Sequence, residues 1–253
     1  MLESDVPMID LHCHILPGLD DGSPDLATSL AMARIALDDG IETIVATPHW
    51  LVDIGPTPAQ IRTAAQQLQT ALVDHNIPLT VLPGAEVRAD PELPAMVRRD
   101  EVMTLADDGR YLLLEPPFIG IPNYLEQLCF ELQIAGITPI LAHPERAEVA
   151  QREPELYERL VARGCLIQVN APSLHGDYGR TIAEIAADLI RRGLAHIVAS
   201  DAHNATSRPP VLSDARQAVV QAAGEAAFRQ MTELVPSRII AGRQAGDSTR
   251  TVK

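Results

Sequence analysis

His12 and His14 stand two residues apart in Asp10-Leu11-His12-Cys13-His14. Alternate side chains of an extended chain share a face. Asp10, His12 and His14 should therefore point the same way, and the two imidazoles can grip one metal ion. The segments Thr47-Pro48-His49, Gly84-Ala85-Glu86, Leu112-Leu113-Leu114-Glu115, Ile140-Leu141-Ala142-His143 and Ser200-Asp201-Ala202-His203 each place a ligand-type side chain at the end of a short extended run. A lone histidine in such a place is most often structural. Six of seven runs ending this way point to a multi-metal site. Imidazole and carboxylate without thiolate suit Mn, Fe or Zn. The same alternation turns Cys13 away, to pack between strands and helices.

The acidic turn Asp20-Asp21-Gly22 can bring one more carboxylate to the group. Arg146, in His143-Pro144-Glu145-Arg146, and Arg208, shortly after His203, are candidates to bind phosphate, because a guanidinium matches phosphate oxygens in pairs. His75 ends a helix pattern and His196 begins a strand at the far end from the ligands, so neither is expected in the site. His175 stays unassigned. Six positions after the three cysteines stand Leu19, Ala135 and Ala171, which excludes a Cys-x5-Arg phosphatase loop. Gly-x-Ser-x-Gly, Walker and His-Glu-x-x-His motifs are also absent.

These ligands need elements to hold them. Strands are expected at Met8–Cys13, Thr43–Thr47, Leu79–Leu82, Tyr111–Leu114, Thr138–Ala142, Cys165–Val169 and His196–Ser200. Helices are expected at Asp25–Asp38, Pro58–His75, Pro122–Ala135, Glu153–Arg163 and Thr181–Arg192, several closed by a glycine. Repeated strand–helix units imply an α/β fold with a parallel sheet. Seven units in 253 residues favour a closed TIM-like barrel over a doubly wound open sheet, which would carry a Gly-rich loop where His12-Cys13-His14 stands. Barrel enzymes place their chemistry at the C-terminal ends of the strands, where these ligands fall.

Composition narrows the class. Hydrophobic residues make up 46% and aromatics 3%, so the core is built of Ala, Leu, Ile and Val. The net charge of −14 argues against nucleic acid as a partner. No apolar run reaches the roughly 20 residues of a membrane span, and the acidic start lacks the basic region of a signal peptide. Three scattered cysteines read as reduced and buried, which points to the cytoplasm.

Taken together, Met8-Ile9-Asp10-Leu11-His12-Cys13-His14, Pro17-Gly18-Leu19-Asp20-Asp21-Gly22, Ala46-Thr47-Pro48-His49, Gly84-Ala85-Glu86, Ala142-His143-Pro144-Glu145-Arg146, Gln168-Val169-Asn170 and Ala199-Ser200-Asp201-Ala202-His203-Asn204 resemble, in order, the motifs of bacterial PHP-superfamily protein-tyrosine phosphatases of the CpsB/CapC type, linked to capsule and exopolysaccharide synthesis. The resemblance runs from about Met8 to Gly242. It implies one PHP domain over residues 1–253, a distorted (β/α)7 barrel, with residues 1–7 as an extension; the polar composition of 245–253 makes that stretch a disordered tail. It implies three divalent ions, usually Mn²⁺, with Fe or Zn as alternatives. His12, His14, Glu86 and Asp201 would hold the first. Glu86 would bridge to a second, held also by Glu115 and His143. Asp21, His49 and His203 would hold the third. Arg146 and Arg208 would bind the phosphate as catalytic residues, and the substrate would be the phosphotyrosine tail of a cognate bacterial tyrosine kinase. Two stretches depart from the pattern: Val87-Arg88-Ala89-Asp90, where relatives often have tyrosines, and Val235-Pro236-Ser237-Arg238, where an Asn-Pro pair is usual.

Charge supports phosphoryl chemistry. Three divalent ions and the carboxylates Asp21, Glu86, Glu115 and Asp201 leave the site near about +2, and two arginines raise it to about +4 against a phosphomonoester of about −2. Divalent ions also lower the pKa of bound water to about 7, giving a nucleophile at neutral pH. The rival readings are a histidinol-phosphate phosphatase or other small-molecule PHP phosphoesterase and, from another class, a non-catalytic regulator that binds a phosphopeptide.

Overall fold

The computed structural model describes residues 7–120 and 123–243. The expected tail at 245–253 and all but the last residue of the expected extension at 1–7 lie outside the described residues, as does Pro122. The chain alternates strands with helices. The strands are β1 (Met8–Cys13), β2 (Ile41–Ala46), β3 (His49–Trp50), β4 (Thr80–Pro83), β5 (Glu86–Arg88), β6 (Tyr111–Glu115), β7 (Thr138–Ala142), β8 (Leu166–Asn170) and β9 (Ile197–Ala199). Between them lie, among others, the helices Leu26–Asp38, Pro58–Asp74, Leu125–Ile134, Glu155–Ala162 and Arg180–Arg191. Asp25 caps the first by accepting from Thr28 N, and Thr57 and Gln60 form a reciprocal capping box before Pro58 on the second. No helix among the described residues is long and apolar enough to cross a membrane.

All the named strands pair in parallel, in two sheets ordered β1-β2-β4 and β3-β5-β6-β7-β8-β9. This sequential order differs from the reversing order of a doubly wound sheet. β3 and β5 were not expected as separate strands. Thr47-Pro48 interrupts one strand line and Gly84-Ala85 its neighbour, yet the register runs on unchanged. Thr43 faces Thr80, Ala46 faces Pro83, and beyond the break His49 faces Glu86. Glu86 N donates to Pro48 O across the gap. At the other edge β9 meets β1, with Asp201 N donating to His12 O and His14 N to Ala202 O, each at 2.8 Å. Asp10 reinforces this seam. Its buried carboxylate accepts from Ser200 N at 3.0 Å and from the Ser200 hydroxyl. Burial pushes this carboxyl up to about 6, against the pull of those hydrogen bonds.

Two apolar cores flank the strands. The larger packs their outer faces on the helices, as Cys13, Ile44 and Leu114 do with Met32, Leu68 and Leu132. Cys13 is buried there, as alternation predicts. The smaller joins Ile9, Leu11, Val45, Leu113, Ile140, Ala142 and Ile197 with Ile239 and Ile240 of the helix Val235–Ile240. Its strand residues each precede, on their own strand line, a ligand-type residue. Strand direction therefore puts an apolar plug at one end and polar side chains at the other.

Candidate active site

The polar end gathers Asp21, His49, Glu115, Phe118, His143, Arg146, Asp201, His203 and Arg208 around one cleft of about 180 Å³. His12, His14 and Glu86 lie at its floor, fully buried. All nine candidate ligands fall into four groups whose ligand atoms lie within 4.8 Å of one another: His12 with His14 and Asp201; His12 with Glu86 and His143; His49 with Glu86 and Glu115; and His14 with Asp21, His49 and His203. Glu86 is central. Its Oε1 meets His143 Nε2 at 2.7 Å. Its Oε2 lies 2.9 Å from His49 Nδ1 and 3.4 and 3.5 Å from His12 and His14 Nε2.

The hydrogen-bond network fixes which way the imidazoles face. Asp201 is a carboxylate and can only accept, so Asn170 Nδ2 donates to it at 2.7 Å. Asn170 Oδ1 then accepts from Gln168 Nε2, and Gln168 Oε1 is left to accept from His12 Nδ1 at 3.0 Å. Asp20 Oδ2 likewise accepts from His14 Nδ1 at 2.6 Å. With both Nδ1 atoms acting as donors, the Nε2 atoms of His12 and His14 face each other at 3.1 Å. Asp201 Oδ1 is 3.4 Å from each, and buried Glu86 Oε2 lies at 3.4 and 3.5 Å from the same two atoms. Four electron-pair donors thus converge, an arrangement that calls for a cation. Backing an imidazole with a carboxylate or carboxamide is how proteins orient histidine ligands. The donor set fits divalent ions of the Mn, Fe or Zn kind.

Burial opposes a charge on His14, but Asp20, Asp201 and Glu86 hold its imidazole well above the usual range, so the acids around it draw a cation to this point. Burial alone would raise the Glu86 carboxyl, but the pull of His12 and of the neighbouring His14 and His143 rings holds it well below the usual range. Asp201 is likewise held down despite its burial, by His12, His14 and His143. His203 goes the other way. Burial and the neighbouring His14 charge lower it to about 4, leaving a neutral imidazole. Its Nδ1 donates to Asp201 O at 3.0 Å and its Nε2 faces Asp21 Oδ1 at 3.6 Å.

Some alternation arguments hold in outcome but not in cause. Asp10 is buried near His12, but its carboxylate turns to Ser200 and to the His12 backbone N–H, and the pairing of β1 with β2 shifts between Asp10 and Cys13. Asp201 and His203 do meet. β9 ends at Ala199, however, and Asp201 takes the left-handed conformation, with φ of 52°. His143 does the same, with φ of 32°. Left-handed backbone in two non-glycine residues at one site is strain held by its surroundings. In the acidic turn the two aspartates divide the work. Asp20 is buried behind His14, whereas Asp21 is 70% exposed and faces His49 Nε2 at 3.3 Å.

Both arginines reach Asp201 Oδ2, Arg146 at 2.9 Å and Arg208 at 2.8 Å. The Nε of Arg208 is buried and has no partner. His75, His175 and His196 stay away, bonded to Ala71 O, Asp177 and Ile167 N respectively. The sequence motifs contain Asp20, Gln168 and Asn170 but give them no role behind the ligands, and they do not point to Phe118, stacked on His143, or to Arg88, which donates to Glu115 Oε2 at 2.8 Å. The spacing of Gln168 and Asn170, two apart at a strand end, was the available signal for that pair.

Comparison with known proteins agrees with this geometry. The chain is 43% identical over 202 residues to the tyrosine-protein phosphatase YwqE of Bacillus subtilis, covering 79% of each protein. It is 28% identical to the tyrosine-protein phosphatase CpsB of Streptococcus pneumoniae, over 92% of this chain and 98% of that one. A crystal structure from work on YwqE and CpsB, described as unique metal-dependent tyrosine phosphatases, superposes with a TM-score of 0.88 and 38% identity, covering 93% of this chain and 95% of the other. The sequence profile described as capsular polysaccharide synthesis, CpsB/CapC, matches residues 8–241, and the chain belongs to that family.

Proposed function

We propose that this protein is a metal-dependent phosphatase that removes phosphate from tyrosine side chains, and that residues 1–253 act as one catalytic domain. The observation that carries this reading is the convergence of imidazole and carboxylate donors on buried Glu86 and Asp201 with two guanidinium groups beside them. In this reading the two sheets form one distorted seven-stranded barrel. The unbroken register across Thr47-Pro48 and the hydrogen bonds between β9 and β1 support it. The site holds three divalent ions, Mn²⁺ foremost. His12, His14, Glu86 and Asp201 take one, Glu86, Glu115 and His143 a second, and Asp21, His49 and His203 the third. Bound there, such ions supply Lewis acidity and bring water to a pKa of about 7.

The chain's own residues do the rest. Arg146 and Arg208 offer N–H groups at one point above Asp201, where they can receive the equatorial oxygens of a phosphomonoester. Phe118, parallel to the His143 ring, gives the cleft an apolar wall for a phenyl group. The cleft, at about 180 Å³, is smaller than the ~300–1,000 Å³ of drug-sized sites, which suits one phosphorylated side chain. His203 is neutral, with its Nδ1–H committed to a carbonyl, which suits a ligand and not a proton donor to the leaving phenolate. The substrate is the phosphotyrosine tail of a cognate bacterial kinase, met in the cytoplasm. The three free, buried cysteines suit that reducing compartment.

Phosphate release from a kinase-tail phosphopeptide tests the proposal. Activity should require Mn²⁺ and vanish with a chelator. Arg146→Ala and Arg208→Ala should each lower kcat/KM by about 100-fold, as loss of one preorganised donor does. Faster turnover of histidinol phosphate than of the peptide, or tight peptide binding without phosphate release, would overturn it.

A further inference from the structure

The two arginines are held in different ways. Arg208 is fixed by the polypeptide. One guanidinium nitrogen donates to Asp201 O at 3.0 Å, and the turn that carries it is tied by Asn204 Oδ1, which accepts from Thr206, Ser207 and Arg208 N. Arg146 ends the short 3-10 turn Pro144–Arg146 after the left-handed His143, and it donates to Asp201 Oδ2, an oxygen it shares with Arg208 and Asn170. Its remaining hold is aromatic. The guanidinium carbon lies 4.9 Å from the Phe118 ring centroid and 4.7 Å from that of Tyr178. In a chain with only three phenylalanines and four tyrosines, two rings on one guanidinium is a concentrated use of scarce residues.

The rings are themselves held. Phe118 lies parallel to the His143 imidazole, with 5° between planes and centroids 5.5 Å apart. The Tyr178 hydroxyl is buried with no hydrogen-bond partner, so the ring is the part the protein uses. A ring face attracts a guanidinium through its quadrupole, and a fork already in place loses less freedom when a phosphate docks.

We propose that Phe118 and Tyr178 are positioning residues that hold the Arg146 guanidinium ready for a substrate phosphate. The proposal rests on the phosphate role given to Arg146 above. The test uses the metal-loaded protein, with inorganic phosphate as competitive inhibitor, in the parent and in an Arg146→Ala background. Phe118→Leu and Tyr178→Leu should each raise the phosphate inhibition constant about 5- to 30-fold. KM should rise with it, bound metal should stay unchanged, and Tyr178→Phe should recover most of the loss. In the Arg146→Ala background the same leucine changes should leave the phosphate inhibition constant where Arg146→Ala alone puts it. Stepwise fluorination of phenylalanine at position 118 keeps the packing and drains the ring quadrupole, so the inhibition constant should climb with each fluorine even where a leucine variant does not fold. Leucine effects on the phosphate inhibition constant that persist without Arg146, or a Tyr178→Phe variant as impaired as Tyr178→Leu, would overturn the proposal. A wild-type inhibition constant for Arg146→Ala alone would instead overturn the phosphate role of Arg146.

Discussion

A Glu86→Gln protein is expected to lose at least about 1,000-fold in kcat/KM on a phosphotyrosine peptide, equivalent to about 4 kcal/mol, and to bind fewer divalent ions than the parent. Three observations make this one of the two largest effects. Glu86 belongs to two of the four ligand groups, and its two oxygens face four imidazoles, those of His12, His14, His49 and His143. It is buried, so no solvent compensates for a lost charge. Glutamine keeps the volume but replaces one oxygen with an N–H donor aimed at a nitrogen lone pair or a cation. Elemental analysis after dialysis, with circular dichroism to verify the fold, reads the result directly. Full metal content with undiminished turnover would remove Glu86 from the centre of the site.

Gly22→Ala is the second. A Cβ at this position would lie 2.3 Å from His14 O and 2.4 Å from His14 Cβ, both parts of a buried ligand residue that cannot move aside. The acidic turn must therefore back away. That separates Asp20 from His14 Nδ1 and carries Asp21 off His49 and His203. One methyl group, outside the ligand set, is expected to lower activity about 100-fold, through the losses of affinity that follow when a ligand's supporting partner is removed. It should also cost about 1–3 kcal/mol of stability as an overpacked contact. Kinetics across a Mn²⁺ titration and urea denaturation check both parts. A variant with parental Mn²⁺ dependence would show that the turn is free to shift.

Much of the fold was legible because this is a parallel sheet covered on both faces, so its strands read as unbroken apolar runs between helices with clear caps. Met8–Cys13 and Thr138–Ala142 begin and end where the sequence places them. The splits at Thr47-Pro48 and Gly84-Ala85 were not legible. Proline and glycine mark a break, but only the neighbouring strand shows that the register survives it. Strand direction brings eight of the nine candidate ligands, those that follow apolar runs, to one end, and the acidic turn adds Asp21. What the sequence hid lies in contacts across long separations. Gln168 backs His12, Asn170 secures Asp201, and Phe118 and Tyr178 meet on Arg146. No local period announces such pairs. The left-handed turns at His143 and Asp201 were equally silent, since both residues stand where simple alternation would also have put a ligand.

Those two turns constrain how the site can drift. Asparagine, aspartate and histidine are the side chains that enter left-handed backbone most readily after glycine, whereas β-branched residues are outliers there. At positions 143 and 201 the backbone and the ligand chemistry therefore select from overlapping short lists. Most single substitutions fail on both counts at once, so folded but ligand-poor descendants are confined to a narrow door, chiefly asparagine or glycine. A relative carrying either residue at one of these positions would be a folded protein that has stepped out of catalysis, and its sequence alone would reveal the change.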